Sequence, residues 1–199
     1  MGLTLRKGDA LTLTKKDGSS LTRIHMGLGW DAAEQKRGFL ASLLSGGKPQ
    51  EIDLDASAIL YTSDRRVQDI VYYGQLKSRD FSITHTGDNL TGEGDGDDEV
   101  LLVDLNRVDD SVKHIVFVIT SYSRQTFDQI ENAFCRVVDD ALPSKPEVAR
   151  FDLTEQGRFT AMIMASLSRN GQGWKFTAIG KPANGKVAHD IAAEAATVL

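Results

Sequence analysis

Residues 84–99 concentrate more oxygen-bearing side chains than any other segment of the chain. They read Thr-His-Thr-Gly-Asp-Asn-Leu-Thr-Gly-Glu-Gly-Asp-Gly-Asp-Asp-Glu. Six carboxylates on one tight loop repel each other unless a cation lies between them. The four glycines allow backbone carbonyls to turn inward as further ligands. Hard oxygen donors of these two kinds are what Ca²⁺ prefers, so the loop predicts a calcium site. The alternative is a solvated acidic loop.

The charge distribution points to a local cation rather than to a generally acidic protein. Residues 80–106 contain eight acids and no Lys or Arg. The whole chain has 28 acids and 23 bases, so the remainder carries 23 − 20 = +3. The net charge of −5 therefore arises from this single segment. A focused negative surface attracts cations and argues against nucleic acid as the partner of this face.

The loop does not fit an EF-hand, although Asp88 and Glu99 have the right separation for its first and last ligands. Leu90 and Gly92 occupy the third and fifth ligand positions, and Glu93 stands where the motif needs glycine. The flanking residues alternate in polarity as strands do. We expect a strand–loop–strand site.

A second group of candidate ligands is the pair Asp53 and Asp55. The two acids alternate with Ile52 and Leu54, so on a strand both carboxylates lie on one face and the apolar pair faces the core. Neighbouring carboxylates are costly without a cation or a donor. Asp31 ends another predicted strand and either joins them or caps a turn.

Length and composition fit one globular domain. The chain has 199 residues with 41% hydrophobic content, enough to bury a core. It has no apolar run near the ~18–20 residues that a membrane span needs, and its first residues lack the apolar core of a signal peptide. Cys135 is the single cysteine, which excludes an internal disulfide and favours a reducing cytoplasm. We expect it to be a small buried side chain.

Period-two alternation predicts a mostly β protein, a β-sandwich of two similar halves with few short helices and a C-terminal helix. Asn170-Gly171 predicts a hairpin between two late strands. One short helix is expected near residues 126–131 and the C-terminal helix over residues 188–198. Strands are expected over residues 3–5, 10–14, 21–28, 55–62, 70–76, 80–84, 100–105, 114–120, 133–139, 149–153, 160–169 and 173–179.

The order of elements also suggests an internal duplication within one domain over residues 1–199, with halves of about 1–84 and 100–199. Residues 36–50 interrupt the β pattern. Phe39, Leu40, Leu43 and Leu44 fall on one helical face, which predicts a short amphipathic helix. Such a helix either packs on the edge of the sandwich or contacts a membrane surface or a partner.

Three blocks of the sequence resemble the signature blocks of the TerD family of bacterial tellurium-resistance and general stress proteins. They are Gly27-Leu28-Gly29-Trp30-Asp31, Asp53-Leu54-Asp55-Ala56-Ser57-Ala58 and the stretch from His85 to Glu99. The likeness continues through residues 113–120, 132–138, 151–155 and 173–176, and so covers essentially the whole chain.

The resemblance implies a duplicated β-sandwich that binds Ca²⁺ in acidic loops and has no known catalysis. It also implies a TerC-type membrane protein and other tellurium-resistance proteins as partners. We expect two Ca²⁺ ions and a cytoplasmic protein that is peripheral at the inner membrane face. The predicted metal ligands are Asp31, Asp53, Asp55, Asp88, Asn89, Gly92, Asp95, Asp97, Asp98 and Glu99.

An enzymatic function has little support in the sequence. The chain has no His-Glu-x-x-His, no phosphate-binding glycine loop with Lys-Ser/Thr, and no Gly-x-Ser-x-Gly. We therefore expect a binding protein and not an enzyme. The alternative is a metal-dependent hydrolase that uses the acidic cluster around Mg²⁺ or Mn²⁺.

Overall fold

Two six-stranded sheets form the fold in the computed structural model, which describes residues 2–15, 17–32, 53–87, 96–171 and 173–199. The strands are β1 (Leu3–Leu5), β2 (Ala10–Thr12), β3 (Arg23–Ala32), β4 (Leu54–Thr62), β5 (Val67–Val71), β6 (Ile83–His85), β7 (Glu99–Asp104), β8 (Val112–Ser121), β9 (Ile130–Asp139), β10 (Glu147–Asp152), β11 (Ala161–Asn170) and β12 (Gly173–Ala183). The helix α1 covers Ala188–Ala195, and short 3-10 helices cover Phe127–Gln129 and Ala196–Val198. The predicted mostly β sandwich is confirmed.

The sheets pack face to face over one apolar interior. Sheet I has the order β1-β10-β9-β3-β7-β6 and sheet II the order β2-β12-β11-β8-β4-β5. Alternate residues of each strand face the interior, as Ile24, Met26 and Leu28 do on β3. Each fully buried side chain of this size contributes roughly 1.5–3 kcal/mol. Cys135 on β9 lies in this interior and is 0% exposed, as expected.

The C-terminal helix α1 covers the outer face of sheet II. Ile191 and its alanine neighbours pack on Ile59 of β4 and Val118 of β8. The Tyr61 hydroxyl donates to the carbonyl of Ala192 at 2.7 Å, which fixes the helix across the sheet. The predicted helix is thus confirmed, and no helix within the described ranges is long and apolar enough to cross a membrane.

A similar three-strand unit occurs in each sheet. In sheet I the hairpin β9–β10 lies beside β3, and in sheet II the hairpin β4–β5 lies beside β8. Along the chain, β3 of sheet I is followed by the hairpin β4–β5 of sheet II. In the same way, β8 of sheet II is followed by the hairpin β9–β10 of sheet I. The boundaries of the proposed halves stay a prediction.

Several predicted bounds differ from the observed ones; the strand expected over residues 80–84, for example, is Ile83–His85. The strand expected over residues 70–76 is Val67–Val71, because Tyr72 and Gln75 close a turn with reciprocal backbone hydrogen bonds of 3.1 and 2.9 Å. The helix near 126–131 is a single 3-10 turn, and Glu131 already belongs to β9. The amphipathic helix predicted within residues 36–50 lies outside the described residues.

Candidate metal centre

One end of the sandwich collects the ends of the strands that flank the predicted acidic blocks. There β3 and β6 end and β4 and β7 begin. Strands β6 and β7 flank the acidic segment, so the two predicted flanking strands are present, whereas residues 88–95 between them lie outside the described residues. We call this region the acidic end and define it by the described residues Asp31, Asp53, Asp55, Asp98 and Glu99. Four of the predicted ligands, Asp88, Asn89, Gly92 and Asp95, lie outside the described residues.

Glu99 and His85 join the two sheets at the acidic end. Both side chains are 0% exposed, and Glu99 Oε2 lies 3.3 Å from His85 Nε2. The backbone N–H of Ala56 on β4 donates to Glu99 Oε2 at 2.5 Å. Strand β5 pairs with β4 only over residues 58–61 of β4. Nearer the start of β4, the backbone of Ala56 is contacted by the side chains of His85 from β6 and Glu99 from β7.

The neighbours of His85 define its tautomer. The N–H of Gly87 lies 3.2 Å from Nδ1, which must therefore accept, and Nε2 then carries the proton. Nε2 lies 3.2 Å from the carbonyl of Ala56, to which it donates. His85 thus holds the backbone of β4 beside the buried carboxylate of Glu99.

Asp98 is held against β3 by two backbone contacts. Its N–H donates to the carbonyl of Leu28 at 2.9 Å, and its Oδ2 accepts from the N–H of Trp30 at 2.8 Å. Burial raises the pKa of Asp98, and the charges of Asp31 and Asp97 raise it further. A carboxyl group with a raised pKa is one whose ionised form would gain from a nearby cation.

Asp53 and Asp55 lie on the side of sheet II. Leu54 faces the interior, and Asp55, 3% exposed, lies on the outer face, as the alternation predicted. Thr120 is directly opposite Asp55 on β8. Its buried hydroxyl has no hydrogen-bond partner among the described residues, so a further oxygen donor is available beside the Asp55 carboxylate. Burial raises the pKa of Tyr73, and both aspartates add to the increase, which places all three groups close together.

Asp97 has a different environment from the other predicted ligands. Arg136 Nε and Nη2 donate to its two carboxylate oxygens at 2.7 and 3.0 Å, and His25 Nε2 lies 2.6 Å from Oδ2. Burial opposes the charge, but the hydrogen bonds from His25 and Arg136 outweigh it and lower the pKa of Asp97. Both oxygens are therefore occupied by groups of the protein.

The glycines of the block at residues 27–31 make room for these contacts. A Cβ on Gly27 would come within 2.2 Å of the Asp97 carboxyl carbon. A Cβ on Gly29 would come within 2.4 Å of the Phe134 ring and 2.8 Å of the carbonyl of Gly96. The two glycines therefore let the end of the acidic segment lie directly on the outer face of β3.

Asp31 is exposed and lies at the margin of the acidic end. Its Oδ2 accepts from Asn132 Nδ2 at 2.8 Å, and Asn132 has a φ of 53°. Asp31 is nevertheless close enough to Asp98 to raise the pKa of that carboxyl group.

The donor set fits a hard divalent cation. Carboxylates of Asp98, Glu99, Asp53 and Asp55 and the hydroxyl of Thr120 are oxygen ligands of the kind Ca²⁺ selects. Within the described ranges no three His, Cys, Asp or Glu side chains form a group that could hold a metal by themselves.

The sequence interpretation missed Arg136, His25 and Thr120. The only local signal was that Arg136 interrupts an apolar strand.

Fold and site together define a class, a β-sandwich protein with a candidate site of oxygen ligands at one end. The model of the TerD domain matches residues 1–193, and the chain belongs to this family. It is 42% identical over 189 residues to tellurium resistance protein TerZ of Serratia marcescens, covering 95% of this chain and 94% of that protein. It is 39% identical over 199 residues to stress response protein SCP2 of Bacillus subtilis (strain 168), covering 96% and 98%.

Solved structures support the fold. A homologue of telluride resistance protein (TerD) from Streptomyces coelicolor A3(2) matches with a TM-score of 0.66 and 22% identity, over 87% of this chain and 96% of that one. The family is thus one of tellurium resistance and stress response, and these relatives carry the names of resistance and stress proteins rather than of enzymes.

Proposed function

We propose that this protein is a Ca²⁺-dependent, non-catalytic interaction module of the tellurium-resistance and stress response. In this proposal it works in the cytoplasm, at the inner membrane face, through a TerC-type membrane protein and other tellurium-resistance proteins. Ca²⁺ would be held by Asp31, Asp53, Asp55, Asp98 and Glu99, together with Asp88, Asn89, Gly92 and Asp95 of the acidic segment.

The observation that carries the proposal is the contact between Glu99 and Ala56. A fully buried carboxylate at the end of the acidic segment reaches the backbone of the strand that carries Asp55. Two acidic blocks that are 43 residues apart in sequence therefore meet. Burying several carboxylates together is costly, and a divalent cation between them removes that cost.

The distribution of the carboxylates supports two ions rather than one. Asp31 and Asp98 influence each other on the side of sheet I. Asp53 and Asp55 act together on Tyr73 on the side of sheet II. Two groups of acids on different sheets are suited to one ion each, with Glu99 between them.

Calorimetric titration of metal-free protein with Ca²⁺ and with Mg²⁺ tests the binding. We expect Ca²⁺ to bind with the higher affinity, because several flexible oxygen ligands suit it better than the strict octahedron of Mg²⁺. The double variant Asp53→Asn/Asp55→Asn should bind fewer ions or bind them more weakly. Asp64→Asn/Asp110→Asn, which removes two exposed acids elsewhere, is the charge-matched control. Equal binding by both double variants would contradict the assignment.

Capture of partners from a membrane extract tests the role as an interaction module. Ca²⁺ should change the set of captured proteins relative to chelator, because ligand-held loops present a different surface from unligated ones. Identical partner sets in both conditions would contradict the proposal. So would robust metal-dependent hydrolysis of phosphoesters by the purified protein, which would establish the hydrolase alternative.

A further inference from the structure

Asp97 lies directly before two of the proposed ligands but is held by a different part of the protein. Arg136 on β9 contacts both of its oxygens and His25 on β3 contacts one, at 2.6–3.0 Å. The Asp97 side chain is 5% exposed, so water competes little with these contacts. A two-bond arginine–carboxylate pair fixes both the position and the orientation of the carboxylate.

The same short stretch is attached to β3 at each successive residue. Gly96 lies over Gly29, Asp97 lies over Gly27, and the N–H of Asp98 donates to Leu28. The Asp97 contacts lie on the outer face of sheet I, whereas Glu99 is in the interior. Because Asp97 is held on the outer face of sheet I, the positions of the next two side chains, Asp98 and Glu99, are restricted.

We propose that Arg136, assisted by His25, is a positioning residue of the cation site: it keeps Asp97 out of the coordinating group and thereby holds Asp98 and Glu99 in place. The inference rests on the proposed function, since it concerns the ligands of the proposed Ca²⁺. Groups that orient metal ligands without touching the metal commonly contribute about 10–100-fold to metal affinity.

The alternative is that Asp97 is itself a ligand and Arg136 competes with the cation for it. The two cases differ in sign. Loss of a positioning arginine weakens Ca²⁺ binding, because the ligands lose their fixed geometry. Loss of a competing arginine strengthens binding, because it frees a carboxylate and removes a positive charge near the ion.

The decisive measurement is the Ca²⁺ dissociation constant of Arg136→Met at fixed pH and ionic strength. We expect binding to weaken by about 10–100-fold. Arg136→Lys should recover part of this loss, since lysine supplies the charge but not the two parallel bonds. Gly27→Ala should also weaken binding although it changes no charge, because the new Cβ displaces the Asp97 carboxylate.

Arg150→Met is the matched control. Arg150 lies directly opposite Arg136 in the β9–β10 ladder and pairs with Asp152 at 2.6 Å. Its removal deletes the same charge from the same face without touching Asp97, and we expect unchanged affinity. If Arg150→Met weakens Ca²⁺ binding as much as Arg136→Met does, the effect comes from a general disturbance of this face of the sheet, and the inference is overturned.

A double-mutant cycle with Asp97→Asn completes the test. If Arg136 acts through Asp97, the double variant Arg136→Met/Asp97→Asn binds Ca²⁺ no more weakly than whichever of the two single variants has the lower affinity. Unfolding curves of the metal-free proteins establish that each variant folds. If Arg136→Met does not fold, Arg136→Lys and His25→Gln, which keep a hydrogen-bond donor, decide between weaker and unchanged binding.

The outcomes separate the two proposals. A wild-type protein that binds Ca²⁺, with equal or tighter binding in the Arg136 variants, overturns the positioning role alone. A wild-type protein that binds no Ca²⁺ overturns both proposals.

Discussion

Carboxylates gather at both ends of the sandwich, near the two ends of the nine-residue strand β4. We define the far end by Asp69, Asp80 and Asp109. Its carboxylates accept hydrogen bonds from side chains and backbone N–H groups of the protein itself. Asp80 accepts from the side chains of Ser78 and Ser82 and from the backbone N–H groups of Ser82 and Asp109. Asp69 accepts from the N–H of Arg79 at 2.7 Å and from Gln75 Nε2 at 2.9 Å.

The two ends differ in the direction in which the pKa of a buried acid moves. Burial opposes the charge of Asp80, but the four hydrogen bonds outweigh it and lower the pKa. At the acidic end burial dominates and raises the pKa of Asp98, with Asp31 and Asp97 adding to the increase. An acidic cluster is therefore not by itself a metal site. What distinguishes the acidic end is that, at Asp98, burial and two neighbouring acids outweigh the hydrogen bond from the N–H of Trp30.

Removal of the cation should produce the largest difference between the ends. A ligand at 100 times its dissociation constant stabilises the folded state by about 2.7 kcal/mol. We expect denaturant unfolding to show a gain of this order between chelator and saturating Ca²⁺. Asp98→Asn/Glu99→Gln should abolish the gain, whereas Asp80→Asn should retain it. A gain that both variants keep would place the cation elsewhere.

Loss of a far-end carboxylate should reduce stability without any dependence on Ca²⁺. Asp80→Ala leaves two serine side chains and two backbone N–H groups without their acceptor. Unsatisfied groups of this kind cost about 1–3 kcal/mol. The free energy of unfolding should fall by this amount equally in chelator and in Ca²⁺. A loss confined to one condition would mean that the two ends are coupled.

The smallest expected effect is a difference in pH dependence. In metal-free protein the folded-state pKa of Asp98 lies above its unfolded value, so its contribution to stability declines as pH rises between the two values. Asp80 has a lowered pKa and acts in the opposite sense, contributing stability that is lost as pH falls through its folded value.

Unfolding free energies from acid to neutral pH measure both slopes. Metal-free Asp98→Asn should be more stable than wild type at neutral pH, since it removes the repulsion among the acids. Asp80→Asn should lose the stabilisation that wild type gains as pH rises from acid. A less stable metal-free Asp98→Asn would indicate that the Trp30 hydrogen bond outweighs the repulsion.

The sequence predicted the architecture well because the sandwich depends on local alternation. The apolar run of residues 115–119 in β8 is buried throughout, as its composition indicates. In β7, by contrast, the charged Glu99 is buried and the apolar Val100 and Leu102 are only half-buried. The end of β5 was misplaced because Tyr72 and Tyr73 favour strands by type, whereas Gly74 and the contact of Gln75 with Asp69 make the turn.

The candidate site was only partly predictable. Asp98, Glu99, Asp53 and Asp55 lie at one end, as their grouping suggested. The environment of Asp97 could not be foreseen, since its partners Arg136 and His25 are 39 and 72 residues away. Composition reports how many acids a segment has. It does not report which of them meet a base after folding.

The alternation of β3 has a consequence for folding. Ile24, Met26 and Leu28 enter the interior, while His25, Gly27 and Gly29 face outward. A slip of one residue would bring the glycines into the core. It would also move the N–H of Trp30 away from Asp98. The register that closes the core is therefore the register that assembles the acidic end, and a chain in which sheet I is misaligned cannot form the proposed cation site.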